Sequence, residues 1–124
     1  MKPGVVVCHV QPDRDHPDFE VTRENLAILR AAKDAAGRSL EVVEVLAPTI
    51  LEVHGKPAEY TYINHYLANG LALMCRFDDP RDGDAAETFT QLLPDRRVVF
   101  ADARAIFDHG GGIHCITQQE PRPA

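Results

Sequence analysis

One arrangement occurs twice in this chain, and it limits the fold more than any other feature. An apolar run of strand length, Val5-Val6-Val7-Cys8-His9-Val10, is followed by the turn-rich loop Gln11 to Asp18, a helical stretch, a glycine stop at Gly37 and a second strand over Leu40 to Leu46. Later, a strand over Leu71 to Phe77 leads into Asp78-Asp79-Pro80-Arg81-Asp82, a helix over Asp84 to Leu93, a stop at Pro94 and a strand over Arg97 to Ala101. Continuous apolar runs without alternation suit strands covered on both faces. Modules that bury a face only against neighbours belong to larger closed arrays, because terminal copies leave open edges. Two copies are too few to close such an array.

Within the first copy, Asp18 is the expected N-cap of a helix running to about Ala36, and Gly37 supplies its C-terminal stop. A helical wheel puts Val21, Ile28, Ala32, Ala35 and Ala36 on the packing side with Leu29 flanking, and Glu20, Arg23, Arg30, Lys33 and Asp34 on the wet side. Pro48 to Glu59, with Gly55-Lys56-Pro57, reads as a connecting excursion.

Between the copies, Asn69-Gly70 separates Tyr62-Ile63-Asn64-His65-Tyr66-Leu67-Ala68 from Leu71-Ala72-Leu73-Met74-Cys75-Arg76. Asn-Gly suits a type I′ hairpin turn. The implied register pairs Ala68 with Leu71, Tyr66 with Leu73 and Asn64 with Cys75, so Asn64 shares a face with Tyr62, Tyr66, Leu71, Leu73, Cys75 and Phe77. A polar side chain there either satisfies loop backbone groups or braces a site.

Near the end lies Gly110-Gly111-Gly112-Ile113-His114-Cys115-Ile116-Thr117-Gln118-Gln119. A glycine run marks backbone that turns with positive φ or approaches something closely, here just before a cysteine. Ile116-Thr117 reads as a short strand, which would place Cys115 where a loop enters regular structure. A lone cysteine more often packs as a small hydrophobe than it reacts. A nucleophile also needs its thiol pKa lowered by a neighbour, and in extended structure His114 points away from Cys115. His109, His114 and Cys115 do not form a metal site, because the intervening glycines fix no ligand geometry. The glycine run follows no strand and opens no helix, which argues against a phosphate loop.

Length and composition limit the partners. The 124 residues suffice for one domain with a real core, and 44% apolar with 26% charged residues is ordinary for globular proteins. A net charge of -6, with no basic cluster beyond Arg96-Arg97, argues against nucleic acid and anionic membranes and favours cationic partners. No apolar run reaches membrane-span length. Three cysteines without zinc-finger spacing, and a start unlike a signal peptide, fit a reducing cytoplasm.

The residues from Gly110 to Pro121 resemble the C-terminal active-site signature of agmatine deiminases, in the family that also contains Porphyromonas-type peptidylarginine deiminases. The likeness extends to Tyr62 through Gly70, Asp79-Pro80-Arg81-Asp82, Leu93-Pro94-Asp95-Arg96 and Asp102-Ala103-Arg104, in the family's order and spacing. The resemblance implies an α+β pentein fold, a β/α-propeller of five ββαβ-type modules. On this reading the chain is a single C-terminal fragment, residues 1–124, holding about the last two modules (about 1–60 and 61–124). It further implies Cys115 as nucleophile, with Gly110, Gly111, Gly112, His114 and Asn64 binding substrate or supporting the site.

The implied substrate is a small cationic guanidine, agmatine, whose guanidinium lowers the pKa of an approaching thiol. Attack would expel ammonia and leave an S-amidino-cysteine that water hydrolyses to N-carbamoylputrescine, with no metal or organic cofactor. Family members are nearly three times as long, and their proton-relay His-x-Asp/Glu motif would fall before Met1; His9 lies in the strand that follows it. Asp108-His109 and His65 depart from residues that relatives often carry. Missing N-terminal modules, or self-association, are therefore the expected macromolecular partners. The alternatives are an inactive fragment or interaction module, and a peptidylarginine deiminase.

Overall fold

A computed structural model describes residues 2–121. The repeated arrangement is present as two strand-helix-strand units with parallel strands. In the first, β1 (Val5–Val10) pairs with β2 (Glu41–Leu46) across α1 (Asp18–Ala31), in a register from Val5 opposite Glu41 to Val10 opposite Leu46. After β2, a small hairpin of β3 (Glu52–Val53) and β4 (Lys56–Pro57) projects from the excursion. In the second unit, β6 (Leu71–Arg76) pairs with β7 (Arg97–Asp102) across α2 (Asp82–Leu92), from Leu71 opposite Arg97 to Arg76 opposite Asp102. Here β5 (Tyr66–Ala68) adds antiparallel to the other edge of β6, giving the strand order β5-β6-β7. Among the described residues β1 has β2 alone as neighbour.

The core is built on the second unit. Tyr62, Met74, Cys75, Phe77 and Phe89 are fully buried, and Val45 of β2 and Ile113 pack into the same cluster. Burying each such large side chain contributes roughly 1.5–3 kcal/mol. Tyr60 stacks on Phe77 with ring centroids 4.6 Å apart, and Phe107 meets both edge-on at 5.6 and 5.2 Å. Phe107 ends the one-turn helix α3 (Arg104–Phe107), so this aromatic cluster holds the start of the glycine loop.

The loop Asp79-Pro80-Arg81-Asp82 fastens the excursion to this core. Asp79 accepts from the Thr49 N–H at 2.7 Å and hydroxyl at 2.6 Å, Arg81 donates to the Ala47 carbonyl at 2.6 Å, and Asp82 accepts from the Tyr62 hydroxyl at 2.9 Å. Asp79 is buried, so these bonds also satisfy a charge that would otherwise be costly there.

Several local expectations fail for identifiable reasons. The first helix starts with Pro17, not Asp18, in the cap position, and its first N–H, that of Asp18, is accepted by the His16 Nδ1 at 3.2 Å. It ends at Ala31, well before Ala36, because Ala32 is extended (ψ 158°) and the Asp34 carboxylate binds the N–H groups of Ala36 and Arg38. Its buried residues are Thr22 and Leu26, while Val21 and Ile28, expected on the packing face, are 55% and 57% exposed. Thr22 turns inward because its hydroxyl accepts from the Gln11 N–H. The β5-β6 register is as the hairpin pattern predicts, but β5 begins only at Tyr66 and Asn69 has no positive φ, so the turn is not type I′. That geometry appears instead at His54-Gly55, where φ is 53° and 75°.

Candidate active site

Two segments far apart in the chain form the site. One is Asn64, just before β5; the other is the loop from Gly110 to Thr117, which leaves α3 and closes in a single 3-10 turn over His114–Ile116. The short strand expected at Ile116-Thr117 is not formed. The Thr117 hydroxyl donates to the carbonyls of Ile113 and His114, each at 3.0 Å, and this closes a helical turn where the β-branched pair suggested extension. Ile113 is buried in the core, so the turn is pinned from below while His114 and Cys115 stay exposed.

The Asn64 carboxamide is bonded at both ends. Its Nδ2 donates to the Cys115 Sγ at 3.3 Å, and its Oδ1 accepts from the His114 backbone N–H at 2.8 Å. The thiol is pushed below its ordinary pKa first by that Asn64 bond and then by the Gly112 backbone, while desolvation works the other way. The other two cysteines are buried, and desolvation raises both thiols. Of the three, only Cys115 is exposed with its thiolate favoured, the combination a nucleophile requires.

The glycines have separate roles. Gly110 has φ +89°, which turns the chain out of α3. A Cβ on Gly111 would lie 3.2 Å from both Cβ and Sγ of Cys115. A Cβ on Gly112 would lie 2.4 Å from Cγ of Asn64, closer than atoms can approach. The structure thus brings Asn64, Gly111, Gly112 and Cys115 together; His114 joins through its backbone N–H and not through its exposed ring. His109 stands apart, its Nδ1 against the Ala105 carbonyl at 2.8 Å. Among the described residues no three His, Cys, Asp or Glu side chains are grouped to hold a metal ion.

Cys75 is more than a neighbour on the hairpin face. The buried Cys75 thiol in fact donates to the Asn64 carbonyl at 2.9 Å. The hairpin register, which sets Asn64 opposite Cys75, already contained that contact. The Tyr66 hydroxyl likewise donates to the Gln118 carbonyl at 3.5 Å, just beyond the turn.

Comparison with known proteins places this arrangement. Residues 1–121 match the family described as Porphyromonas-type peptidyl-arginine deiminase. A Streptomyces avermitilis protein named "Putative agmatine deiminase" is 60% identical over 121 residues, covering 98% of this chain and 35% of the relative. A Streptomyces coelicolor protein of the same name is 56% identical over 122 residues, covering 98% and 36%. The solved structure of an agmatine deiminase of Enterococcus faecalis superposes with a TM-score of 0.89 at 26% identity, over 97% of this chain and 38% of that one. The chain spans about a third of the length of the curated relatives it matches.

Proposed function

We propose that this chain, which belongs to the Porphyromonas-type peptidyl-arginine deiminase family, carries the nucleophile of a guanidine-hydrolysing deiminase acting on agmatine. The observation that carries the reading is the bond from Asn64 to the exposed Cys115, which favours a thiolate at the surface of the fold. The thiolate attacks the electrophilic carbon of the protonated guanidinium, forming a C–S bond and a tetrahedral adduct. Collapse breaks a C–N bond; the departing nitrogen takes a proton and leaves as ammonia, with an S-amidino-cysteine remaining. Water then adds to that carbon and the C–S bond breaks, so N-carbamoylputrescine departs and the thiolate returns. Asn64 holds the sulfur in place through these steps, and the glycine loop leaves room for the planar guanidinium beside it.

The remainder of the site, a carboxylate clamp and a histidine that moves protons, belongs to modules outside these residues. The share of the relatives spanned here supports that reading, as does the edge of β1 that is unpaired among the described residues. In the second unit the corresponding edge of β6 carries β5. On this basis the two units are the last two modules of a pentein propeller, about 1–60 and 61–124, completed by further modules in the same or a partner polypeptide.

The test is production of ammonia and N-carbamoylputrescine from agmatine by the complete protein. Cys115→Ser should abolish it with an unchanged melting curve, and quenched wild-type protein should carry an amidino adduct on the peptide containing Cys115. Turnover by Cys115→Ser would remove the mechanism, and faster turnover of a peptidyl arginine than of agmatine would reassign the substrate.

A further inference from the structure

Cys75 lies where the β5-β6 ladder stops. The last paired residues toward the site are Tyr66 and Leu73, and one further step in register would set Asn64 opposite Cys75. At that step the Asn64 carbonyl receives no ladder N–H; among the described residues its hydrogen-bond donor is the Cys75 thiol at 2.9 Å. Ile113 is buried in the same core cluster as Cys75. A fully buried cysteine therefore bonds one arm of the site, Asn64, and shares its core cluster with the residue before His114-Cys115 in the other.

We propose that Cys75 is a positioning residue: its S–H fixes the Asn64 backbone, and this holds the Asn64 carboxamide on the Cys115 sulfur and the His114 N–H. The inference rests on the reading of Cys115 as nucleophile. The carboxamide must meet two partners at once, at 3.3 and 2.8 Å, with its Cγ close against Gly112. A small rotation of the residue 64 backbone breaks one of these bonds. Asn64 lies outside β5, so the ladder does not supply that restraint.

Packing and positioning make opposite predictions for two substitutions. Valine fills the space of a cysteine without a donor, whereas serine keeps a donor but buries a hydroxyl in an apolar core. If Cys75 only packs, Cys75→Val is the benign change; if it positions Asn64, Cys75→Ser is. The experiment is the pH dependence of iodoacetamide alkylation at Cys115 in the complete protein, read by mass spectrometry of its peptide, with a thermal melt of each variant. Cys75→Ser is expected to keep the wild-type midpoint even where its melting temperature falls, and Cys75→Val to shift the midpoint upward and slow alkylation at neutral pH. If Cys75→Val does not fold, Cys75→Ala serves in its place. An unmoved midpoint in the donor-less variant, or an equal shift in Cys75→Ser, overturns the proposal. Asn64→Ala separates the two levels. A shift with Asn64→Ala and none with Cys75→Val sinks the role of Cys75 alone; no shift with Asn64→Ala sinks the Asn64 reading on which it stands.

Discussion

Asn64 and Gly112 are in such close contact that a Cβ on Gly112 would sit 2.4 Å from the Asn64 Cγ, 2.6 Å from its Oδ1 and 2.8 Å from its Nδ2. Gly112→Ala must therefore displace the carboxamide that holds Cys115. The expected outcome is loss of activity on the order of 10²-fold, the usual effect of removing one preorganised donor, with little change in the melt. Gly110→Ala should behave differently. Its fault is a residue forced to φ +89°, so it should cost stability of about 1 kcal/mol and move the melt before it moves the chemistry. Comparing melting temperature and kcat of the two variants checks the assignment, and equal effects on both quantities would contradict it.

Asn64→Ala should raise the pKa of the Cys115 thiol toward the ordinary cysteine value of about 8.5, because the hydrogen bond that lowers it most is gone. The thiolate fraction at neutral pH then falls and alkylation slows. Asn64→Asp should raise it further, since a carboxylate beside the sulfur opposes its ionisation. A pH profile that is the same in all three proteins would show that Asn64 does not act on the thiol.

Much of this site was legible in the sequence because it depends on residue types with few alternative uses. Asn64 is a polar residue on an otherwise apolar hairpin face, and the glycine run directly precedes a cysteine; both stand out without coordinates. What was not legible is how the pieces close on each other. A hydroxyl bonding back to two carbonyls converts Ile113 to Thr117 into a helical turn, and nothing in the β-branched pair Ile116-Thr117 announces it. The first helix misled for a related reason. Alanines with good helix propensity continue to Ala36, but the Asp34 carboxylate captures the backbone ahead and ends the helix early, and the hydroxyl of Thr22 takes an inward position that a hydrophobic wheel gives to Val21 and Ile28. The bounds of β1, β2, β6 and β7 follow the apolar runs to within a residue, whereas β5 starts four residues later than its run.

Thr49 and Asp79 join the excursion to the second unit. Desolvation opposes ionisation of Asp79, but its bonds from Thr49 and the Arg81 N–H hold the carboxyl below its ordinary pKa. Asp79→Ala leaves two donors of Thr49 unpaired and should cost about 2 kcal/mol, the scale of hydrogen bonds to a charged group. Thr49→Val, which removes one bond, should cost about 1 kcal/mol. Denaturant titrations of the two variants and the double mutant check this, since residues sharing one bond network give less than additive losses.

Burial lowers the pKa of both His9 and His65, so both favour the neutral ring in the folded state. The unfolded value is about 6.5. Below it the unfolded chain binds more protons than the folded one, so stability rises with pH through that window; it is fully present above about pH 6.5 and is lost as pH falls through the folded values. Among the described residues the buried Nδ1 of His65 has no hydrogen-bond partner within bonding geometry, although the Ile63 and Tyr62 backbone groups partly offset its desolvation, and the ring packs edge-on to Phe89 at 5.0 Å. His65→Phe should keep the ring contact, remove the orphaned nitrogen, stabilise by about 1 kcal/mol and flatten the acid slope. Melting curves at several pH values compare the two proteins, and an unchanged slope would show that His65 is not one of the groups responsible.

Among the described residues one edge of β1 is unpaired, and the exposed Val21 and Ile28 of α1 lie on the same unit, whereas the second unit has β5 on the equivalent edge of its own sheet. An open strand edge attracts another strand, and exposed apolar side chains attract another copy. The purified 124-residue chain should therefore self-associate, and should be taken up by a polypeptide carrying the remaining modules, with deiminase activity appearing only in the second case. Val21→Lys with Ile28→Lys should weaken self-association at little cost in stability, because both side chains are already more than half exposed. Sedimentation gives the answer directly. A wild-type chain that runs as a single compact monomer with a sharp melt would show that these residues close their own core, and association unchanged in the lysine variant would place the contact elsewhere on the surface.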